Sequence, residues 1–309
     1  MNTQFNPLLP TTRPGKRRKP NVLTPADVRH KVDDLIQADF SNVRSVVLES
    51  LYSFGVLTET ALFRLVRSQI AISDKLASFS RTLRRYRSTG LIVLVSYDVM
   101  KKTKRAGLPM PDDRTVLGYT LGPVGEEYAK RKGWNGQNPF QPVPDNDYQA
   151  HDLICAETMF RMQQLWAELP EEKRGLAEVY GPRQVSVWDV NNSKAIAAPD
   201  GLLIKRNMSG TIERTFLVEY HNVNNMLHVQ AKISRYEELA KPEYHWIWKD
   251  MWGLDEMPWV LVIYRQGATL QHYQQQLEAR GETLAKYACT SLEDIWAGKL
   301  SIKPIRKQP

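Results

Sequence analysis

Residues 135–147 read NGQNPFQPVPDND, a run of Pro, Asn and Gly without any apolar period, and it separates two stretches of chain that follow different rules. Ahead of it apolar residues recur at helical spacing; behind it helical segments alternate with strand-like apolar runs. A chain of 309 residues exceeds what one core ordinarily serves, so two domains are expected with this run as the linker. Charge divides at the same place. Residues 1–135 hold 23 Lys and Arg against 12 Asp and Glu, and the remainder holds 19 against 22. A basic front half suits a polyanion, and a mildly acidic back half suits something else.

Residues 1–40 read as a basic, largely disordered arm. The first 26 residues contain five prolines and the run Lys16, Arg17, Arg18, Lys19. Such an arm either grips phosphates or a DNA groove, or is a solvated tail. Residues 41–134 follow the order of a winged helix-turn-helix. Val43, Val46, Val47, Ser50, Leu51 and Phe54 form one helical stripe, and Thr58 is placed to cap a second helix carrying Ala61, Leu62, Leu65 and Val66. Ser73 would cap a third helix with Leu76, Phe79, Leu83 and Tyr86 inside. Lys75, Ser78, Arg81, Arg84 and Arg85 lie on or beside its outer face, the composition of a recognition helix rather than of an ordinary solvated one. The segments LIVLVSYD and TVLGYTL then make a hairpin whose loop carries Lys101, Lys102, Lys104 and Arg105, the wing. A fourth helix follows, with Pro123 in its first turn and Gly133 as its stop.

The back half, 148–309, reads as mixed α/β: a long amphipathic helix, strands near 185–187, 201–205 and 215–220, a helix over 226–240, the strand WVLVIYR and a final helix after Thr269. Its sharpest constellation is Asp200 opening one strand and Glu219 near the end of the next. Carboxylates on neighbouring strands can hold Mg²⁺ or Mn²⁺ and position a water against a phosphodiester, the logic of the PD-(D/E)xK nuclease core. His221 occupies the position where that core normally has lysine. Lys232 on the following helix is the candidate substitute, with Tyr236 one turn further on, and Glu157 on the long helix is a candidate third carboxylate. The alternative is that Asp200 belongs to a turn and Glu219 is an ordinary strand residue, leaving a fold that binds without chemistry. His151 and Asp152 either line the same site or, more commonly for such residues, cap the helix start.

Other chemistries are set aside. His221 and His228 lack a second ligand pair for a tetrahedral zinc site. Cys155 and Cys289 are too few for a disulfide framework, have no metal-ligand spacing and read as buried thiols in a reducing compartment. No Gly-rich phosphate loop ends in Lys-Ser or Lys-Thr. No span or signal peptide is evident, so a cytoplasmic protein without membrane contact is expected. The aromatic window Tyr244, Trp246, Trp248, Trp252, Trp259 is either core or partner interface, or a stacking platform for unpaired bases, with packing the commoner reading.

Taken in order, GYTLGPVGEEYAK in the front half and HDL, PDGLL, FLVEY and KISRYEEL in the back half resemble the replication-relaxation family of plasmid and mobile-element proteins. The resemblance runs from about Asn42 onward. It implies an α+β chain in which a winged helix-turn-helix precedes a restriction-endonuclease-like domain, with double-stranded DNA and replication, transfer or transposition proteins as partners. Asp200 and Glu219 would then be the metal ligands, supported by Lys232 and Tyr236. A catalytically inactive docking module and a transcriptional regulator are the competing readings.

Overall fold

The apolar periods of the front half become helices packed round a small sheet. The computed structural model describes residues 23–37, 42–72, 75–95, 117–134, 146–189, 194–221 and 225–305. In chain order these give α1 (Pro25–Gln37), α2 (Asn42–Phe54), β1 (Leu57–Thr58), α3 (Glu59–Gln69), α4 (Leu76–Ser88), β2 (Ile92–Leu94), β3 (Gly118–Leu121) and α5 (Pro123–Arg131). The strands pair antiparallel in the order β1-β3-β2. Thr58 caps α3 by accepting the Ala61 amide, and Gly90, at φ +82, turns the chain out of α4 into β2.

The expected arm is corrected over its last third, because α1 is a helix. Thr24 and Asp27 bond reciprocally across its first turn, the Thr24 amide donating to Asp27 at 2.9 Å and the Asp27 amide to Thr24 at 3.2 Å. Val28, Val32 and Leu35 then pack inward, Val32 completely buried, while Asp33 pairs with Arg131 of α5. The sequence signal was present in Thr24, Asp27 and that spacing, and was overshadowed by the prolines before it.

Beyond the linker come α6 (Asn146–Glu168), β4 (Gly175–Tyr180), α7 (Pro182–Val185), β5 (Val187–Asp189), β6 (Lys194–Ala197), β7 (Gly201–Asn207) and β8 (Ile212–His221). They are followed by α8 (Met226–Leu239), β9 (Trp259–Tyr264), α9 (Gly267–Arg280), β10 (Tyr287–Ser291), α10 (Leu292–Trp296) and β11 (Lys303–Pro304). The main sheet has the order β11-β10-β9-β8-β7-β4, antiparallel from β4 to β8 and parallel from β8 to β10. The chain is therefore mixed α+β. Two expectations change: β4 was not anticipated, and the strand expected at 185–187 starts with the short α7. The helix after Thr269 is also followed by β10, α10 and β11 rather than ending the fold.

Side-chain alternation along the central strands explains the two cores. Leu203, Phe216, Val218, Tyr220, Leu261 and Ile263 point to the face covered by α6, while Leu202, Ile204, Leu217, Val260 and Val262 meet α8 and α9. Strands covered on both faces need unbroken apolar runs, which is what LLI and VLVI supply.

The core under α6 continues without interruption into the front half. Phe54 of α2 packs on Phe160 of α6, with ring centroids 5.3 Å apart. Gly181 lies so close to α2 that an added Cβ would meet the Ser53 carbonyl oxygen at 2.3 Å, so only glycine fits there. Ser53 in turn bonds Gln184 of α7 and accepts the Gly181 amide.

Candidate functional site

The ionisable groups of the back half converge where β7 begins and β8 ends. Asp200 precedes β7, and its amide donates to the Val218 carbonyl at 2.9 Å. Its carboxylate turns toward β8 and accepts the Tyr220 amide at 2.8 Å. Glu219 shares the parity of Leu217, so it points toward α8, where Lys232 and Tyr236, one turn apart, close on it. The Lys232 ammonium donates to Oε2 and the Tyr236 hydroxyl to Oε1. His221, two residues further and on the same face, meets Tyr273 of α9 at 2.9 Å. Glu219 is 1% exposed, whereas the Asp200 side chain keeps 15%, so Asp200 stands at the open side of the cluster.

Burial pushes the two carboxyls apart in character. It raises Glu219 to about 7, with Lys232 opposing and Asp200 reinforcing the rise. Burial acts on Asp200 as well, but His151, Lys232 and the Tyr220 amide outweigh it and hold Asp200 below the ordinary carboxylate value. Burial likewise opposes the charge on Lys232, and Glu219 and Asp200 overcome it, so the ammonium is retained. His221 differs: burial, reinforced by Lys232, drives it down to about 3, so the ring is neutral and shares a hydrogen bond with the Tyr273 hydroxyl. His221 therefore does not supply the cation expected at its position; Lys232, reaching across from α8, brings one to Glu219 instead.

From the opposite face of the sheet, α6 adds His151. Its Nε2 is 3.6 Å from Asp200 Oδ2 and 3.3 Å from the Tyr220 carbonyl oxygen. Burial works against charging this ring, and its surroundings outweigh that, holding its pKa well above the ordinary value. Cys155, Asp200 and Asp152 all act to raise it, and burial pushes the Cys155 thiol itself up to about 12. The His151 ring thus stands between two oxygens on the open side of the cluster. Asp200 lies near enough to Glu219 to raise it, so the two carboxylates bring oxygen donors of the kind a hard divalent cation takes to one end of β7 and β8.

Several sequence expectations fall elsewhere. Glu157 does not reach the carboxylates: it is partly buried on the side of α6 facing the front half and accepts the Thr58 hydroxyl. Helical periodicity gives the reason, since Glu157 is six residues from His151 and so projects about 120° round the helix from it. His151 and Asp152 lie within α6 rather than capping its start, and His151 belongs to the cluster. Both cysteines are buried thiols as expected. The view that neither has metal-ligand spacing is corrected, because His151, Cys155 and Asp200 offer ligand atoms all within 4.8 Å of one another. His151 and Cys155 are one helical turn apart, which was the available signal. In the aromatic window Trp248 is core, whereas Trp246 is 47% exposed.

In the front half, α4 buries Phe79 and Leu83 and exposes Lys75, Arg81, Arg84 and Arg85, with Ser78 partly covered and donated to by Arg81 at 3.2 Å. Leu76, expected inside, opens the helix and is 39% exposed, with Lys75 at the N-cap position, and Ser73, the expected cap, lies outside the described residues. Arg85 borders a groove of about 460 Å³ shared with α1 and α2. Lys16, Arg17, Arg18, Lys19, Lys101, Lys102, Lys104 and Arg105 lie outside the described residues. No helix among the described residues is long and apolar enough to cross a membrane.

Compared with known proteins, the chain matches no family model, no curated protein and no solved structure.

Proposed function

We propose that this chain is a double-stranded-DNA-binding protein of the replication-relaxation type. A winged helix-turn-helix holds the duplex, and a PD-(D/E)xK-like domain hydrolyses a phosphodiester with Mg²⁺ or Mn²⁺ during replication, relaxation or mobilisation of a plasmid or integrated element. The observation that carries this reading is the convergence of Asp200, Glu219 and Lys232 at one end of adjacent strands. Burying these groups together costs several kcal/mol in desolvation, an arrangement a fold keeps at a working site more readily than for stability alone. The strand order supports it: a helix, an antiparallel meander β4-β7-β8 with the acids on its second and third strands, then a helix and a parallel strand. In the front half, the order of helices and the β1-β3-β2 sheet support a winged helix, with α4 as its outward basic helix.

In this reading Asp200 and Glu219 would hold the ion, which when bound would supply an activated water and a positive charge for a phosphate oxygen. Lys232 remains protonated beside Glu219 and offers an ammonium to the phosphate. Tyr236 fixes the Glu219 carboxylate, and neutral His221 with Tyr273 closes the apolar side against water. His151 presents a donor at the open edge beside Asp200.

A second reading, a docking module without hydrolysis, is favoured by one observation: both Glu219 oxygens are already engaged, by Lys232 and Tyr236. The discriminating experiment incubates the full chain with supercoiled plasmid and linear duplex in Mg²⁺ and Mn²⁺, beside Asp200→Ala and Glu219→Ala. Nicking or cutting abolished in both variants, with duplex binding retained, is the expected result. DNA binding with no cleavage under either ion would sink the hydrolytic reading in favour of the docking one.

A further inference from the structure

The His151, Cys155 and Asp200 cluster is chemically unlike the carboxylate pair beside it. Its donors are an imidazole, a thiol and a carboxylate, a nitrogen, sulfur and oxygen set that hard Mg²⁺ does not select and that Zn²⁺ does. Cys155 Sγ lies 3.6 Å from His151 Nδ1 and 4.0 Å from Nε2. His151 Nε2 lies 3.6 Å from Asp200 Oδ2. Zinc bonds of about 2.3 Å to sulfur and about 2.0 Å to nitrogen or oxygen in a tetrahedron put neighbouring donors roughly 3.3–3.6 Å apart. Taken through Nε2, which faces Asp200, the sulfur and the carboxylate oxygen stand 4.0 and 3.6 Å from the ring nitrogen and all three donors lie within 4.8 Å of one another, so side-chain rotation alone draws them onto a coordination shell. The helix supplies two of them rigidly, since residues one turn apart on α6 project side by side, and the start of β7 supplies the third. His151 and Asp200 keep 26% and 15% of their side chains exposed, which leaves an entry for an ion and for a water as fourth ligand.

We propose that His151, Cys155 and Asp200 form a site for a thiophilic divalent cation, Zn²⁺, distinct from the hard-ion site and sharing only Asp200 with it. Binding forms the Zn–S, Zn–N and Zn–O bonds and releases to solvent the Cys155 thiol proton and the proton that a charged His151 carries. Because Asp200 serves both sites, Zn²⁺ bound here withdraws that carboxylate from the hard ion. The site acts as an off-switch if the back half hydrolyses DNA, and it binds zinc whether or not it does.

Cobalt substitution gives a readout independent of cleavage. The full-length reduced chain, stripped with a chelator, is titrated with Co²⁺ and then Zn²⁺. The expected result is a thiolate-to-cobalt charge-transfer band in the near ultraviolet that saturates at one ion per chain and is displaced by Zn²⁺. Cys155→Ser removes the band and weakens Zn²⁺ binding, measured against a chromophoric chelator, by at least about tenfold. His151→Gln weakens it similarly. Cys289→Ser retains the band, and circular dichroism establishes that each variant is folded. A wild-type chain without the band overturns the proposal before any variant is made. So does a band that survives Cys155→Ser. Glu219→Gln, which keeps all three zinc donors, retains the band while losing any plasmid cleavage, so the two sites succeed or fail separately.

Discussion

The outer face of α4 and the cluster at the end of β7 and β8 both concentrate charge, yet they stand in opposite physical regimes. Arg81, Arg84 and Arg85 remain in water, where a charge costs little to place and contributes little to folding. Glu219, Lys232, Tyr236 and His221 are held out of water, where each is tolerable only because its neighbour satisfies it. Surface charge can be chosen freely for what it attracts. Buried charge is constrained in pairs, so altering one member disturbs the fold as well as the chemistry.

The sharpest test of that contrast is Lys232→Met. It leaves Glu219 buried without a cationic partner, bonded to the Tyr236 hydroxyl and 4.0 Å from a neutral His221 ring, and is expected to destabilise the chain by about 3 kcal/mol or more, read as a lowered urea midpoint. Adding Glu219→Gln removes the stranded charge and should restore much of the loss. A Lys232→Met chain as stable as wild type would mean that the pair is not held out of water, and the contrast between the regions would collapse.

The opposite pattern is expected of the Arg81→Ala, Arg84→Ala double variant. Duplex affinity should fall by about 1–3 kcal/mol for each true base contact, and by less, uniformly over sequences, for phosphate contacts. The urea midpoint should correspond to wild-type stability within about 0.5 kcal/mol. Binding measured at several salt concentrations separates the two kinds of contact, because losing a phosphate contact lowers the salt slope. Unchanged affinity would move DNA recognition off this face.

The same contrast explains what the sequence disclosed. A single amphipathic helix determines which of its own residues face outward, so Phe79 and Leu83 inside and Arg81 and Arg84 outside were legible from spacing alone. Asp200 and Glu219 were legible because adjacent strands bring them together over a short loop. His151 was legible only as one of two readings and Cys155 not at all, since only the sheet carries α6 against the start of β7, and the one-turn spacing of the pair does not state which side of α6 will meet it. Glu157 shows the cost of guessing that side. Its carboxyl was expected beside Asp200 and instead meets Thr58 of the front half. Helix α1 was missed for a local reason, the proline-rich and basic residues that precede its capping pair.

Glu157 also yields the smallest effect, at the boundary between the two regions. Burial raises its pKa above the ordinary 4.5, with the Thr58 hydroxyl and Arg64 opposing the rise. A carboxyl whose folded pKa is raised favours the folded chain most when protonated. Its contribution is therefore complete below the unfolded value and is lost as pH climbs through the folded one. Glu157→Gln keeps an oxygen for Thr58 and removes the buried charge. The variant should match wild type in acid and exceed it at neutral pH, by about 1 kcal/mol or less. Urea midpoints compared at pH 4 and pH 8 read the difference. A gain at pH 4 that disappears at pH 8 would reverse the sign and show that Glu157 is held as a satisfied anion, making the contact between the halves electrostatic where the apolar packing of Phe54 on Phe160 now suggests a continuous core.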